Sequence, residues 1–423
     1  MNYNENEYIN RLIDKNIETY LDIFGAISVE GPKWCGKTWT SSKHANSVRY
    51  LDDDATRDLA LLDINLILND ESPELIDEWH LVPQIWDKVR RKCDEDSKKG
   101  KYILTCSTQL NDEKKKKITH SGAGRIGKIH MYTMSLYESG DSSGVASLID
   151  MYNNTQKNVL VDKPDIRDIA ALIIRGGWPS NLKTKKENYG IIPKSYIESI
   201  LDKDMNDDKK RDRNKMKMLL QSLSRNESSI VSNNTILNDI GEFNNNDTIE
   251  SRITLTDYLD TLDRLNLIVN QEAYSANYRS KERLGKSPKR HLVDPSLACA
   301  SLNLSVDKMM LDLKTFGFLF ESLVERDLRI YIEYLGGKLF HFRDNTSGLE
   351  IDSILEFEDG EYAAVEIKLG VNQVEEAKAS LLKFQENMEK KPKFMCIITG
   401  NSEAVVQDKE TGIYILPITA LKP

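Results

Sequence analysis

Ala26-Ile27-Ser28-Val29-Glu30-Gly31-Pro32-Lys33-Trp34-Cys35-Gly36-Lys37-Thr38 is the stretch whose reading decides the fold. Its first part is a short apolar run of strand character, its second a turn bracketed by two glycines, and the residues after Gly36 suit a helix. Residues 31–38 satisfy G-x-x-x-x-G-K-[ST] at every defined position. The glycines let the chain curl until backbone N–H groups point inward at phosphates. Lys37 places a charge on the outer phosphates, and the Thr38 hydroxyl can coordinate Mg²⁺. The helix beginning there adds its N-terminal partial charge. Gly31, Pro32, Lys33, Trp34, Cys35, Gly36, Lys37, Thr38 and Trp39 are thus the expected ATP-binding residues.

Such a site needs a carboxylate from a neighbouring strand end. Leu75-Ile76-Asp77-Glu78 supplies it, with Asp77 expected to hold Mg²⁺ through water and Glu78 to polarise the attacking water. Acid pairs are common among 67 acidic residues, so the weight of this one comes from its place after the glycine loop. Tyr102 to Ser107 is an apolar strand ending in hydroxyls, where Ser107 either senses a γ-phosphate or simply ends a strand. Gly122-Ala123-Gly124-Arg125 precedes a strand expected from Ile129 to Met134. Arg125 there is either an arginine finger reaching a neighbouring subunit's nucleotide or a surface arginine. A helix over residues 1–22 and further strands at Ser47–Leu51, Leu75–Ile76 and Tyr102–Thr105 complete an α/β alternation, which implies a parallel, three-layer domain.

Bulk properties constrain the rest of the chain. At 423 residues it exceeds one ordinary core. Its 39% hydrophobic and 30% charged content is that of a globular protein. No apolar run approaches the ~18 residues of a membrane span. The start, MNYNENEYIN, lacks the basic head and apolar stretch of a secretory signal. Five scattered cysteines form no C-x-x-C pair, which argues against disulfides and zinc ribbons. A cytoplasmic protein without a membrane partner is expected. The net charge of −9 gives no global pull toward nucleic acid, so such binding needs a local basic patch.

Four segments are expected: a nucleotide-binding core over 1–145, a helical lid and linker over 146–215, a winged-helix-like unit over 216–305, and an α/β unit over 306–423. The third rests on three helical segments followed by a strand, a polar hairpin and another strand. Lys281, Arg283, Lys286, Lys289 and Arg290 in that hairpin region either track phosphates or belong to a docking module or solvated loop. In the last segment, Ala363 to Leu369 is a strand on which period two puts Glu366 and Lys368 on one face.

These motifs resemble, in order, bacterial and archaeal AAA-type ATP-binding proteins with a C-terminal nuclease-like domain of unknown function. Arg175-Gly176-Gly177-Trp178-Pro179, His291-Leu292-Val293-Asp294-Pro295 and the Glu350–Lys368 segment belong to the same match. The resemblance implies an AAA+ core with a helical lid, a winged helix and a PD-(D/E)XK-like terminal domain. It places Arg175 in the lid, as a second phosphate sensor or a buried structural arginine. Glu321, Asp352 and Glu366 would hold a second Mg²⁺ or Mn²⁺, with Lys368 stabilising developing charge. Two departures stand out: Trp79-His80 follows the acid pair where the family has an apolar residue and glutamine, and Cys106 replaces glycine.

Three functions emerge as expectations. The first is an Mg²⁺-dependent ATPase coupled to a nuclease-like domain acting on DNA or another nucleic acid. The second is a nucleotide-gated switch or assembly ATPase, a homo-oligomer or bound to a protein partner, whose terminal domain docks without cutting. A small-molecule kinase is the third, disfavoured by the lid, the winged helix and Gly124-Arg125.

Overall fold

A computed structural model describes residues 7–95, 98–206, 209–241, 251–275, 287–344 and 346–423. The basic residues Lys281, Arg283 and Lys286 lie outside them. Two compact units are present: residues 1–133 with 261–267, and residues 134–260 with 268–423. Among the described residues no helix is long and apolar enough to cross a membrane.

The first unit is built on five parallel strands: β1 (Ala26–Glu30), β2 (Ser47–Tyr50), β3 (Glu74–Asp77), β4 (Tyr102–Cys106) and β5 (Ile126–His130), in the order β2-β3-β4-β1-β5. Strands buried on both faces read as nearly continuous apolar runs, as Ala26–Val29, interrupted only by buried Ser28, and Tyr102–Leu104 do. One face is covered by α4 (Ile85–Glu95), through Ile85, Trp86 and Val89 on Ala26, Ile76, Leu104 and Ile126. The other holds Ile17 of α1 (Ile13–Ile23) against Ile27, Val29, Leu75 and Ile103. The fold is therefore the α/β layering expected from the alternation.

β5 begins at Ile126, earlier than the expected Ile129, and ends at His130. Its pairing starts at Ala26↔Ile126. A Cβ on Gly127 would lie 2.5 Å from the Phe24 ring, so only glycine lets this strand pass so close. That glycine, a weak strand former, disguised the strand's start.

The second unit carries a nine-stranded mixed sheet. A short parallel pair joins β6 (Ala146–Ser147) to Leu421–Lys422, and the large sheet is formed by β7 (Val159–Leu160), β8 (Ile268–Ala273), β9 (Lys289–Leu292), β10 (Lys338–Arg343), β11 (Glu350–Glu356), β12 (Tyr362–Lys368), β13 (Phe394–Thr399), β14 (Ala404–Gln407) and β15 (Tyr414–Pro417). They run β7-β14-β15-β13-β12-β11-β10-β8-β9. The hairpin β8–β9, expected within a separate winged helix, joins the terminal sheet by pairing β8 in parallel with β10. The helices expected before it are present at Arg213–Arg225, Asn233–Gly241 and Arg252–Arg264. A long helix, Leu313–Tyr334, and a second helix, Val374–Asn387, pack on the sheet.

Segments 175–179 and 291–295 meet in this unit. Asp294, fully buried, accepts from the Gly177 amide at 2.9 Å and from the Arg326 guanidinium at 3.0 Å. The Trp178 indole donates to Ser296 Oγ at 2.9 Å. A Cβ on Gly177 would sit 2.1 Å from the Met134 carbonyl, so the backbone there admits only glycine. Arg326 also donates to Asp327 at 2.7 Å, which in turn accepts from the Leu136 amide at 2.9 Å.

Removing one partner of a buried ion pair leaves an uncompensated charge. Asp294→Ala should therefore destabilise the second unit by about 3–5 kcal/mol in denaturant melts, whereas Asp294→Asn, which keeps an acceptor, should lose less. Buried Glu227 gives a pH-dependent case. Burial pushes its carboxyl up to about 8, against the Leu292 amide and the Ser322 hydroxyl that bond it. A raised folded pKa contributes stability that is complete below the ordinary carboxylate value and is lost as pH climbs toward about 8. Unfolding free energies of wild type and Glu227→Gln, from denaturant melts, should accordingly separate in favour of glutamine as pH rises from about 5 to about 8, by about 1.4 kcal/mol per pH unit, and then hold level.

Candidate nucleotide site

Gly31 to Gly36 form a loop between β1 and α2 (Lys37–Lys43). Gly36 adopts φ 103° and Trp34 φ 64°, so the chain turns through left-handed conformations at both. A Cβ on Gly31 would come within 2.2 Å of the Met131 carbonyl, which explains glycine at the loop's entrance. Lys37, nearly buried, points into the loop and donates to the Pro32 carbonyl at 2.8 Å. Cys35 is buried in the core under the loop, while Trp34 is 46% exposed. Lys33, Thr38 and Trp39 are half-buried around the loop and first turn.

The carboxylates stand where the motif spacing put them. Parallel register places β3 beside β4 and β4 beside β1, so Asp77 reaches the loop from two strands away. Thr38 Oγ1 donates to Asp77 Oδ1 at 2.9 Å, and Thr105 Oγ1 donates to the same oxygen at 2.5 Å. Burial raises the Asp77 pKa and the Glu78 charge adds to it, against the two hydroxyls. Glu78 adopts φ 55°, and its amide donates to Thr105 Oγ1 at 3.1 Å. Its Oε2 accepts from the Ser107 amide at 3.2 Å and the Ser107 hydroxyl at 2.9 Å. Burial pushes the Glu78 carboxyl up, but His80, Lys37 and Ser107 outweigh it and hold the group down at about 2. Glu78 is therefore an anion fixed in place, with acceptor capacity to spare.

Two contributors were missed in the sequence. His80, noted only as a departure from the family pattern, lies with Nδ1 3.1 Å from Glu78 Oε2. Arg11, buried ahead of α1, donates to the Cys35 carbonyl at 2.8 Å and to the Tyr132 carbonyl at 2.9 Å, bracing the loop from outside. No motif marks Arg11. Only the helix after it was legible.

Arg125 precedes β5 at the end of the sheet opposite the loop. Five residues of β1 separate the two ends, about 16 Å at ~3.3 Å per residue. Its Nε donates to Asp94 of α4 at 2.7 Å, and half its side chain is exposed. Arg175, in the second unit, is buried with its guanidinium bonded to Asp141 at 2.5 and 3.1 Å.

The terminal carboxylates also converge. Lys368 Nζ lies 2.7 Å from Glu366 Oε2 and 3.6 Å from Asp352 Oδ2. The β11–β12 ladder reaches Ser353↔Val365; beyond it Asp352 Oδ2 accepts from the Ile367 amide at 2.7 Å. Glu321, on the long helix, shares with Lys368 the wall of a cavity of about 650 Å³. Its Oε1, however, is 2.7 Å from Lys289 Nζ. Burial raises Glu321 to about 7 and pushes Glu366 well up. Lys289, expected among exposed phosphate-tracking residues, is 1% exposed and cannot serve there. Arg290 is half-buried and donates to Asn233 at 3.1 Å. Among the described residues no three His, Cys, Asp or Glu side chains are grouped to hold a metal ion. The donor set here does not suit the second divalent cation that the resemblance implies, because a buried ammonium, Lys289 Nζ, already stands on Glu321 inside the carboxylate cluster and supplies positive charge there.

Comparison with known families matches three segments of the chain. Residues 24–140 match an AAA domain family, residues 166–308 a domain of unknown function (DUF8612), and residues 316–421 another domain of unknown function (DUF4143). No curated protein matches. Among solved structures, the Walker-type ATPase PABY2304 of Pyrococcus abyssi is similar at 11% identity and a TM-score of 0.45, over 71% of this chain and 97% of that one. The segment that carries the glycine loop, Asp77 and Glu78 is thus the one that resembles an AAA domain.

Proposed function

We propose that the chain is an ATP-driven switch whose AAA domain turns over Mg²⁺-ATP and whose second unit docks a partner without cutting it. The observation that carries the reading is the 2.9 Å hydrogen bond from Thr38 to Asp77. It brings together the two oxygen donors such a site requires, and a hydroxyl beside a carboxylate suits a hard cation. Bound there, Mg²⁺ would neutralise phosphate charge during transfer.

The remaining roles belong to the protein's own groups. Lys37, already inside the loop, orients the outer phosphates. Glu78, anionic and pinned by Ser107, aligns the attacking water and takes its proton, with His80 beside the oxygen that Ser107 holds. Ser107, bonded to Glu78 through both its amide and its hydroxyl, links the strand end facing the γ-phosphate to the base. Arg125 would act only on the nucleotide of a second copy, and Arg175 holds the lid segment through Asp141. For the second unit, the ammonium groups on its carboxylates favour docking over metal-dependent cleavage. The basic residues Lys281, Arg283 and Lys286 make a nucleic-acid backbone one partner class for it.

Purified protein should hydrolyse ATP only with Mg²⁺. Lys37→Ala should lose ATP binding, whereas Glu78→Gln should bind ATP normally and turn over about 100-fold more slowly or worse. Normal turnover by Glu78→Gln would remove Glu78 from its role. Incubation with linear, circular and single-stranded DNA and Mn²⁺ should leave the DNA intact. Cutting that disappears in Asp352→Ala would instead establish the nuclease reading.

A further inference from the structure

An ammonium is costly to bury unless charges of opposite sign surround it. Lys289 opens β9, and its side chain is 2% exposed. Its Nζ lies 2.7 Å from Glu321 Oε1, 3.8 Å from Glu325 Oε1 and 3.9 Å from Glu350 Oε1. Asp352 contributes further to holding Lys289 charged. Two of these carboxylates come from the long helix, and Glu350 and Asp352 come from β11. One lysine thus joins three elements.

We propose that Lys289 is a built-in cation that takes the place of a divalent metal in the carboxylate cluster and clasps the β8–β9 hairpin to the long helix and β11. Three observations carry this. First, Lys289 meets Glu321, the helix carboxylate required for a metal trio, at hydrogen-bond distance. Second, the rest of that trio is also occupied: Lys368 bonds Glu366, and Asp352 accepts the Ile367 amide. Third, the backbone seam of the edge hairpin is short: β8 meets β10 at Phe340↔Glu272 and His341↔Ala273, with the Tyr274 amide on the His341 carbonyl, so side-chain bonds such as those of Lys289 add to its hold. The lysine supplies at the cluster the positive charge that a metal would otherwise bring, without any exchangeable ion.

The inference deepens the docking half of the proposed function and does not involve ATP, so its test omits nucleotide. Full-length protein carrying Asp77→Asn, which silences the first unit's cation ligand, is titrated with Mn²⁺ while free Mn²⁺ is followed by electron paramagnetic resonance. This parent should bind no Mn²⁺ at its terminal cluster, and neither should Lys289→Arg. Lys289→Met should gain one Mn²⁺ site that Asp352→Asn abolishes. If Lys289→Met fails to fold while Lys289→Arg melts like the parent, the clasp is supported directly. Mn²⁺ binding by the parent that disappears with Asp352→Asn would overturn the proposal. So would a folded Lys289→Met protein that gains no site. ATP turnover in the unsubstituted chain is read separately, so failure of either reading leaves the other standing.

Discussion

Asp77 holds two hydroxyls on one carboxylate oxygen, and the geometry of the nucleotide site depends on that arrangement. Thr38 comes from the first turn after the glycine loop and Thr105 from the middle strand of the sheet. Their shared acceptor ties the loop to β3 through β4. The same Thr105 hydroxyl accepts from the Glu78 amide, which fixes the left-handed turn that aims Glu78 at Ser107. Buried polar networks of this kind are rigid only when every member is satisfied. Here one threonine orients both acids.

The second unit is organised differently, around buried charge. Asp294, Arg326 and Asp327 join the Gly176-Gly177 turn, the start of helix Pro295–Ser301 and the Leu136 amide. Lys289, Glu321 and Glu325 join the hairpin to the long helix. Buried ion pairs of this sort are poor sources of net stability but penalise wrong arrangements heavily, because each alternative leaves a charge without a partner. They suit a unit whose edge hairpin has little backbone pairing to define its place.

Much of this was legible in the sequence, and the reasons for the misses are physical. The glycine loop, Asp77 and Glu78 were readable because phosphate chemistry demands particular residue types at fixed spacing. The parallel layering came from apolar runs alternating with helical stretches. Contacts between residues far apart in the chain leave no such spacing. Arg11 reaches the loop from just ahead of a helix whose sequence announces only amphipathicity. Lys289 sits in a basic segment, and composition alone reads a basic segment as solvated, whereas four carboxylates brought in by other elements make burial tolerable. The hairpin's parallel pairing with β10 connects segments about 70 residues apart and has no local signature. His80 registered as an irregularity; its proximity to Glu78 becomes visible only once the turn at Glu78 is known.

The central claim is that Asp77 and Thr38 together hold the Mg²⁺ of bound ATP. Trp34, exposed in the loop, offers a fluorescence signal for nucleotide binding. ATP affinity measured with Mg²⁺ and with a chelator, in wild type and in Asp77→Asn, tests the claim most directly. Mg²⁺ should tighten ATP binding in wild type and add nothing in Asp77→Asn, whose metal-free affinity should be at least as high as that of wild type. An equal gain from Mg²⁺ in both proteins would contradict the account.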